Sequence, residues 1–240
     1  MSTVSADVLK DIAPTGTLRA SINLGNIVLA QGTPDNPAGV TPELARELGK
    51  RLGVPVSLTA FDAAGKAFEA MKAGQVDIVF LAIEPVRAAE IEFTAPYVII
   101  EGIYMVPKDS ALKSPADIDK PGIRIGVNKA SAYDLFLSRS LKNATLVRSE
   151  DGAETFLKEK LEAAGGVKQA LQQFARGRSD VRLIDERFME IRQAMGCAKG
   201  RLAGAAYLRS FIEEMKAGGF VADALKRSGQ HDAAVAPAET

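Results

Sequence analysis

A nearly continuous apolar run of strand length lies at residues 76–83. Its apolar members are Val76, Ile78, Val79, Phe80, Leu81 and Ile83. A strand with one face in water alternates apolar and polar residues, whereas a continuous run predicts a strand that is covered on both faces. We therefore predict a sheet with helices on both sides, which places the chain in the α/β class.

Segments of helical period alternate with short extended segments around this run. Residues 17–23 and 54–58 predict strands, and a helix is predicted from an N-cap at Thr41 to a stop at Gly53. A second helix is predicted to end at Gly74. A later amphipathic helix that ends at two glycines is indicated by Leu208, Phe211, Ile212 and Met215.

The second half of the chain continues the alternation. Ser114 and Asp117 have the spacing of a capping box, and residues 123–127 alternate as a strand. Further strands are predicted at 145–147 and 181–184, and a helix at 151–162. A stripe of core residues at helical spacing consists of Val167, Ala170, Leu171 and Phe174.

Composition and charge exclude several classes of function. The chain has 30 basic and 30 acidic residues, so it lacks the basic surface expected of a nucleic-acid-binding protein. Its apolar residues, 47% of the total, come in runs too short to span a membrane. We expect no cofactor and no partner among nucleic acids, and we expect a monomer.

The sequence also gives little support for a metal site or a catalytic nucleophile. His231 is the only histidine, and it lies in an Ala-rich, weakly polar tail from Gln230 to Thr240 that we expect to be disordered. Cys197 is the only cysteine, and its apolar neighbours indicate a buried thiol. We therefore predict no metal site and assign no catalytic residue.

Polar residues follow the apolar run where its strand ends. In open α/β sheets, ligands bind beyond the carboxyl ends of the strands, and here those positions hold Ala82, Glu84 and Arg87. Arg87 offers a planar fork of donors for a carboxylate or phosphate, and backbone N–H groups of the following turn are expected to add to it. The alternative is a surface arginine that pairs with Glu90.

The run AIEPVRAAEIEFTAPY at residues 82–97 resembles the signature of family 3 extracellular solute-binding proteins, the type II periplasmic binding proteins of polar amino acid ABC transporters. The usual form there is close to TITPERAxxVDFSxPY. The resemblance extends to GTLRASINLG, GVTPELAREL, PGIRIGVNKASAYDLF, AMGCAKGR and LRSFIEEMKAGG, and so covers nearly the whole chain.

The resemblance implies a two-lobe fold with a hinge of two crossing strands. We expect a discontinuous first lobe from residues 1–101 and 195–240, and a second lobe from residues 102–194. The extended run at 97–106 would carry the chain across, with Gly102 as a natural point for a change in φ and ψ. Glu101 is interpreted as a solvated edge residue rather than a ligand contact.

The same resemblance implies further ligand contacts. In the family, the loop after the first strand lines the cleft between the lobes, which suggests Asn23 and Asn26, although both asparagines also suit a turn. Lys66 lies where amino acid binders commonly place a stacking aromatic residue, and it either donates to an anion or is solvated. Lys129, Ser131 and Tyr133 are the candidates from the second lobe, and Gln193 is a candidate on the return crossing.

One departure from the family bears on the ligand. Amino acid binders place an aspartate near the start of the helix predicted after residue 167, where it holds the α-ammonium group, whereas this chain has Gly165, Gly166 and Val167. A buried ammonium without an ionic partner is costly. We therefore expect a small organic acid rather than a standard α-amino acid.

The resemblance implies a non-enzymatic binder of a small carboxylate that delivers its solute to an ABC transporter permease. One alternative is a lyase similar to the cyclohexadienyl dehydratases, with Glu84 as the acid and Lys66 as the base; another is a cytoplasmic ligand sensor. The family is periplasmic, but residues 1–16 lack the pattern of a secretory signal. Either a leader is missing from this sequence or the protein stays in the cytoplasm.

Overall fold

A computed structural model describes residues 4–239. The chain divides into two compact units, which we call unit 1 and unit 2. Unit 1 consists of the chain up to Ile99 and from Arg192 onward, and unit 2 of Ile100–Ile191. The sequence analysis placed the boundaries of the two lobes after residues 101 and 194.

Helices and strands alternate along both units. The helices are α1 (Ala6–Ile12), α2 (Val40–Leu52), α3 (Ala64–Lys72), α4 (Pro85–Ala88), α5 (Ala132–Ser140), α6 (Gly152–Lys158), α7 (Lys168–Ala175), α8 (Leu202–Ala217) and α9 (Phe220–Arg227). The strands are β1 (Leu18–Asn23), β2 (Gln31–Thr33), β3 (Asn36–Ala38), β4 (Val56–Phe61), β5 (Ile78–Ala82), β6 (Ile91–Pro107), β7 (Arg124–Asn128), β8 (Thr145–Ser149), β9 (Ala163–Val167), β10 (Val181–Ala198) and β11 (Ala234–Val235).

The sheet of unit 1 has β5 at its centre. Strand β1 lies parallel to both β4 and β5, and β10 runs antiparallel on the other side of β5, with Gln193 opposite Ala82. All five residues of β5 are buried, as the continuous apolar run predicted. On one face, Val79 and Leu81 pack against Met71 of α3 in an apolar cluster.

Helix α2 begins earlier than the sequence predicted. Its N-cap is Gly39 rather than Thr41, because Gly39 adopts a φ of 103° that a residue with a side chain rarely takes. Thr41 is already inside the helix, where its hydroxyl donates to the Leu29 carbonyl oxygen. The predicted stop is confirmed, since Gly53 is a left-handed C-cap.

The C-terminal segment is ordered up to residue 239, so the expectation of disorder from Gln230 onward was wrong. Strand β11 pairs antiparallel with β6, and the Ala236 N–H donates to the Tyr97 carbonyl oxygen at 3.0 Å. The ammonium group of Lys216 donates to the Pro237 carbonyl oxygen. These backbone contacts need no large apolar side chain, which is why an Ala-rich composition gave no sign of them. Thr240 lies outside the described residues.

Within unit 2, the strands of the sheet follow the order β6, β9, β7, β8. Strand β7 is parallel to β8 and β9, and β6 is antiparallel to β9. One face is covered by α6 and α7, which contribute Phe156 and Leu171 to a buried cluster. Helix α6 ends at Lys158, earlier than predicted, because Lys160 takes a positive φ of 50°. The predicted Ser114–Asp117 capping box is present on a short 3-10 helix.

Two long strands run through the boundary between the units. They are β6 and β10, so the predicted final strand and the predicted return crossing are a single strand. Within unit 2, a Cβ on Gly102 would meet the Met189 Cγ at 2.7 Å and the Phe188 Cζ at 3.1 Å. A side chain at Gly102 would therefore displace tightly packed neighbours. Its role as a hinge stays a prediction.

Within residues 4–239, no helix has the length and apolar character needed to cross a membrane.

Candidate functional site

The carboxyl ends of three parallel strands meet at one edge of the sheet in unit 1. Asn23 ends β1 and pairs with Phe61 at the end of β4, while Ala82 ends the neighbouring strand β5. Most of the polar residues that the sequence singled out in this unit lie at these ends or in the segments that follow them. The topology therefore brings them to the edge where α/β sheets bind ligands.

Arg87 lies in α4, directly beyond β5, and is only 1% exposed. Its guanidinium Nη1 donates to the Ala82 carbonyl oxygen at 3.1 Å. Burial lowers the pKa of Arg87 to about 10, an effect that the attraction of Glu84 partly opposes. Arg87 is still a cation at neutral pH, and it is not the surface arginine of the alternative interpretation.

Glu84 is the charged neighbour of Arg87. It is 2% exposed and occupies the N-cap position of α4, but its side chain makes no capping hydrogen bond to that helix. Its carboxylate instead acts electrostatically on Arg87. The sequence placed Glu84 near Arg87, but only the structure shows that both charges are removed from water.

Two of the backbone N–H groups that we expected to add to Arg87 are bonded within the turn. Those of Arg87 and Ala88 both donate to the Glu84 carbonyl oxygen, at 2.9 and 2.8 Å. The turn closes on itself because α4 has only four residues. Side chains are therefore the main polar groups that this segment offers.

Gln193 lies next to this segment, on β10. Because it stands opposite Ala82 in the antiparallel pair, the two side chains share a face of the sheet. Gln193 is 5% exposed, and the carbonyl of the preceding Arg192 accepts a hydrogen bond from the Ile83 N–H at 2.9 Å. This strand pairing joins the predicted contact on the return crossing to Ala82, Glu84 and Arg87.

The other candidates in unit 1 have partners of their own. The Asn23 Oδ1 accepts from the Gly25 N–H at 3.0 Å, and the Asn26 Oδ1 accepts from the Val28 N–H at 3.3 Å. These are the turn contacts that we had weighed against ligand binding. Lys66 forms an exposed ion pair with Asp62 at 2.8 Å.

The candidates in unit 2 lie in the turn after β7 and in the first turn of α5. Ser131 is the N-cap of α5 and accepts from the Asp134 N–H, while Lys129 is exposed. Tyr133 is buried, and burial raises its pKa to about 12.

Asp134, in the first turn of α5, is a buried acidic residue that the sequence did not single out. It accepts from the Ala130 N–H and from the Arg148 Nε, each at 2.8 Å. Ala130 has a positive φ of 57°, a conformation that the hydrogen bond from its N–H helps to hold. Asp134 thus organises the Lys129–Ser131 turn.

The start of α7 holds a cation where amino acid binders were expected to hold an aspartate. Lys168 donates to the Glu101 carboxylate at 2.8 Å, and Arg187 forms an ion pair with the same carboxylate. The hydrogen bond from Lys168 is the main reason that the pKa of Glu101 is lowered. Glu101 is thus a half-buried member of an ion-pair network within unit 2.

The remaining reactive groups to consider are the cysteine and the side chains that could bind a metal ion. Burial raises the pKa of the Cys197 thiol to about 12, so it is protonated at neutral pH. Residues 4–239 contain no group of three or more His, Cys, Asp or Glu side chains arranged to hold a metal ion.

Comparisons with known proteins agree with this architecture. The sequence profile of the family described as "Bacterial extracellular solute-binding proteins, family 3" matches residues 28–230. No curated protein sequence matches the chain.

Similar solved structures share the fold at low sequence identity. The binding component of an ABC transporter from Wolinella succinogenes, complexed with lysine, has a TM-score of 0.74 at 21% identity and covers 88% of this chain and 95% of its own. The ancestral amino acid-binding protein AncCDT-1, a precursor of cyclohexadienyl dehydratase, has a TM-score of 0.76 at 22% sequence identity. The match covers 92% of this chain and 99% of that protein's chain. The arginine-bound AbpA from Streptococcus pneumoniae has a TM-score of 0.75 at 19% sequence identity. The match covers 90% of this chain and 96% of that protein's chain.

Proposed function

Because this chain belongs to the bacterial extracellular solute-binding proteins of family 3, we propose that its solute is a small carboxylate and that Arg87 receives the carboxylate group. The proposal rests on one observation: a guanidinium that is 1% exposed and still charged lies beyond the carboxyl end of β5. Non-enzymatic binding is the established role of the family, and the fold is that of its solved relatives.

Chemistry favours a carboxylate as the partner of Arg87. A guanidinium presents five N–H donors in a planar fork that matches the two oxygens of a carboxylate. Such a charge-assisted pair gains strength where water is excluded. Arg87 is in that situation, whereas Lys66 is exposed and paired with Asp62.

We assign the secondary contacts in unit 1 to Gln193 and Asn23. Gln193 shares a sheet face with Ala82, next to the segment that carries Arg87, and its amide offers both a donor and an acceptor. Asn23 ends the neighbouring parallel strand. From unit 2 we retain Ser131 and Tyr133, which lie at the start of α5.

The biological setting follows from the family. Its members are extracellular solute-binding proteins, and solved relatives include binding components of ABC transporters. We place this protein outside the cytoplasmic membrane as a monomer that delivers its solute to an ABC transporter permease.

Isothermal titration with a panel of small organic acids and amino acids tests the proposal. Wild type should bind at least one of them, and Arg87→Ala should bind it at least about 30-fold more weakly, because truncating one side of a buried charge pair typically costs about 2–5 kcal/mol. Arg87→Lys keeps the charge but loses the fork and should bind with intermediate affinity.

Arg176→Ala is the matched control, since Arg176 is an exposed arginine of unit 2. It should leave the affinity unchanged. If Arg87→Ala binds as tightly as wild type, Arg87 is not the carboxylate partner. If wild type binds no carboxylate in the panel, the proposed solute class is wrong.

A further inference from the structure

Arg87 lies in a turn that is too short to hold its own shape. Helix α4 has four residues, and the carbonyl groups at the end of a helix have no partners within it. A single helical turn is marginal by itself, because few hydrogen bonds offset the entropy lost when its residues are fixed. The position of the Arg87 guanidinium therefore depends on contacts from outside α4.

Strand β10 and the residue that follows it hold this segment on both sides of α4. Before the helix, the Ile83 N–H donates to the Arg192 carbonyl oxygen at 2.9 Å. After the helix, the Lys199 N–H donates to the Glu90 carbonyl oxygen at 2.8 Å. Arg87 thus lies between two backbone contacts that come from one continuous stretch of chain.

Lys199 adds a side-chain contact to its backbone contact. Its ammonium group donates to the Ala88 carbonyl oxygen at 3.3 Å and forms an ion pair with Glu92 at 3.4 Å. Ala88 is the last residue of α4, where a lysine can satisfy a carbonyl that the helix leaves without a partner. Lys199 therefore joins the end of α4 to the start of β6.

Gly196 allows β10 to approach this segment closely. A Cβ at this position would overlap the Ile91 side chain and would lie 2.9 Å from the Glu92 carbonyl oxygen. Strand β10 therefore packs directly on the residues that follow α4, which brings Lys199 within reach of that helix.

We propose that Lys199 is a positioning residue for solute binding, which does not touch the solute but holds the turn that presents Arg87. This inference rests on the proposed function, because Lys199 acts through the carboxylate partner assigned there. The apparent affinity for a solute falls with the fraction of molecules in which the binding group is out of place. Loss of the Lys199 ammonium therefore weakens binding.

The exposure of Lys199 separates this role from a contribution to overall stability. Its side chain is 53% exposed, and an exposed ion pair contributes little to the stability of the fold. A variant without the ammonium group should therefore lose affinity while its unfolding transition stays where it is.

Isothermal titration of Lys199→Met tests the proposal. The probes are acetate, succinate, benzoate, L-lysine, L-arginine and L-glutamine, and the tightest binder to wild type is used throughout. Methionine keeps an unbranched side chain but has no ammonium group. The affinity should fall about three- to tenfold, the range expected when one hydrogen bond is lost, and the urea midpoint should not change.

Two further variants serve as controls. Lys199→Arg keeps a donor at this position and should bind within about twofold of wild type. Lys72→Met removes another exposed lysine of unit 1, which pairs with Glu69 on its own helix α3, and should leave the affinity unchanged.

A double-mutant cycle shows whether Lys199 acts through Arg87. The loss caused by Lys199→Met should be at least about twofold smaller in the Arg87→Lys background, because the fork that Lys199 positions is already gone there. An equal loss in both backgrounds would show that Lys199 acts independently of Arg87, and the positioning role would be wrong.

The remaining outcomes distinguish this inference from the proposed function. If Lys199→Met binds as tightly as wild type, or loses affinity only together with a lower urea midpoint, the positioning role is wrong and the proposed function stands. If wild type binds none of the six probes, or if Arg87→Ala binds as tightly as wild type, the proposed function fails and the role of Lys199 fails with it.

Discussion

Arg19 and Asp77 join the first strand of unit 1 to its central strand by a two-pronged ion pair. The Arg19 Nη2 donates to the Asp77 Oδ1 at 2.7 Å, and the Nε donates to the Oδ2 at 2.9 Å. The Asp77 side chain is 0% exposed, whereas that of Arg19 is 29% exposed. Asp77 lies one residue before β5, so the pair also fixes the strand that leads to Arg87.

The unequal burial of this pair predicts unequal effects of mutation. Arg19→Ala leaves a fully buried carboxylate without its main partner and should lower the free energy of unfolding by about 3–5 kcal/mol. Asp77→Asn leaves an arginine that can turn to water, so its cost should be about 1–3 kcal/mol.

Urea denaturation with unchanged m-values measures both effects. Arg176→Ala, an exposed arginine, serves as the control and should cost less than about 0.5 kcal/mol. Equal losses for Arg19→Ala and Asp77→Asn would show that burial does not determine the cost.

The hydroxyl of Tyr97 predicts a stabilising substitution. Tyr97 is fully buried, burial raises its pKa, and within the described residues its hydroxyl has no hydrogen-bond partner. Tyr97→Phe should therefore raise the free energy of unfolding by about 1 kcal/mol, because a buried unsatisfied hydroxyl is removed.

Tyr133→Phe is the matched comparison. Hydrogen bonding with Ser131 and the Asn128 backbone opposes the rise in the pKa of Tyr133, so removal of this hydroxyl should lower stability by about 1 kcal/mol. Thermal unfolding of both variants checks the prediction, and shifts of the same sign would contradict it.

Gly102 should not tolerate even a methyl group. Its φ is not positive, so alanine is allowed by the backbone, but the added Cβ would lie 2.7 Å from the Met189 Cγ. Gly102→Ala should cost about 1–3 kcal/mol through overpacking. At Gly165, on the neighbouring strand β9, the nearest atom to an added Cβ is the Leu137 Cδ1 at 3.4 Å.

Gly165→Ala is therefore the control for Gly102→Ala. It should change stability by less than about 1 kcal/mol, since its contacts are ordinary. Denaturant midpoints of the two variants provide the measurement. Equal losses of stability would mean that packing against Met189 and Phe188 does not explain the cost of Gly102→Ala.

Asp117 predicts a pH-dependent contribution to stability. Hydrogen bonds from the backbone N–H groups of Lys113 and Ser114, together with that from Lys120, lower its pKa from 3.8 to about 2. Its folded-state pKa lies below the unfolded value, so its contribution is complete above about pH 4 and is lost as pH falls through 2.

Thermal unfolding of wild type and Asp117→Ala between pH 6 and pH 2 tests this linkage. Wild type should be the more stable protein at pH 6, and the two melting temperatures should converge toward pH 2. A constant difference over this range would mean that Asp117 acts without its charge.

Much of the fold could be predicted because it depends on long-range apolar patterns. The continuous run at β5 and the stripe on α8 each identified an element correctly. The errors in the predicted elements lie where backbone conformation, rather than the apolar pattern, determines the structure. Because Gly39 has a positive φ, α2 starts earlier than predicted. Because β11 pairs with β6, the C-terminal segment is ordered although its composition indicated disorder.

The sequence could place the candidate residues along the chain but could not show how deeply they are buried. The spacing after β5 located Glu84 and Arg87, because their chemistry follows directly from the end of the strand. Their burial depends on the surrounding fold, which residue spacing does not encode. Asp134 was missed for the same reason, since it organises its turn through the distant Arg148.

The discontinuity of unit 1 sets an order of assembly during synthesis. Unit 2 is one uninterrupted stretch, Ile100–Ile191, whereas β5 requires β10 as its antiparallel neighbour. As the chain leaves the ribosome, unit 2 is complete while β5 still lacks that neighbour. Until residues 192–239 follow, the edge of β5 that β10 will cover presents unpaired backbone N–H and C=O groups.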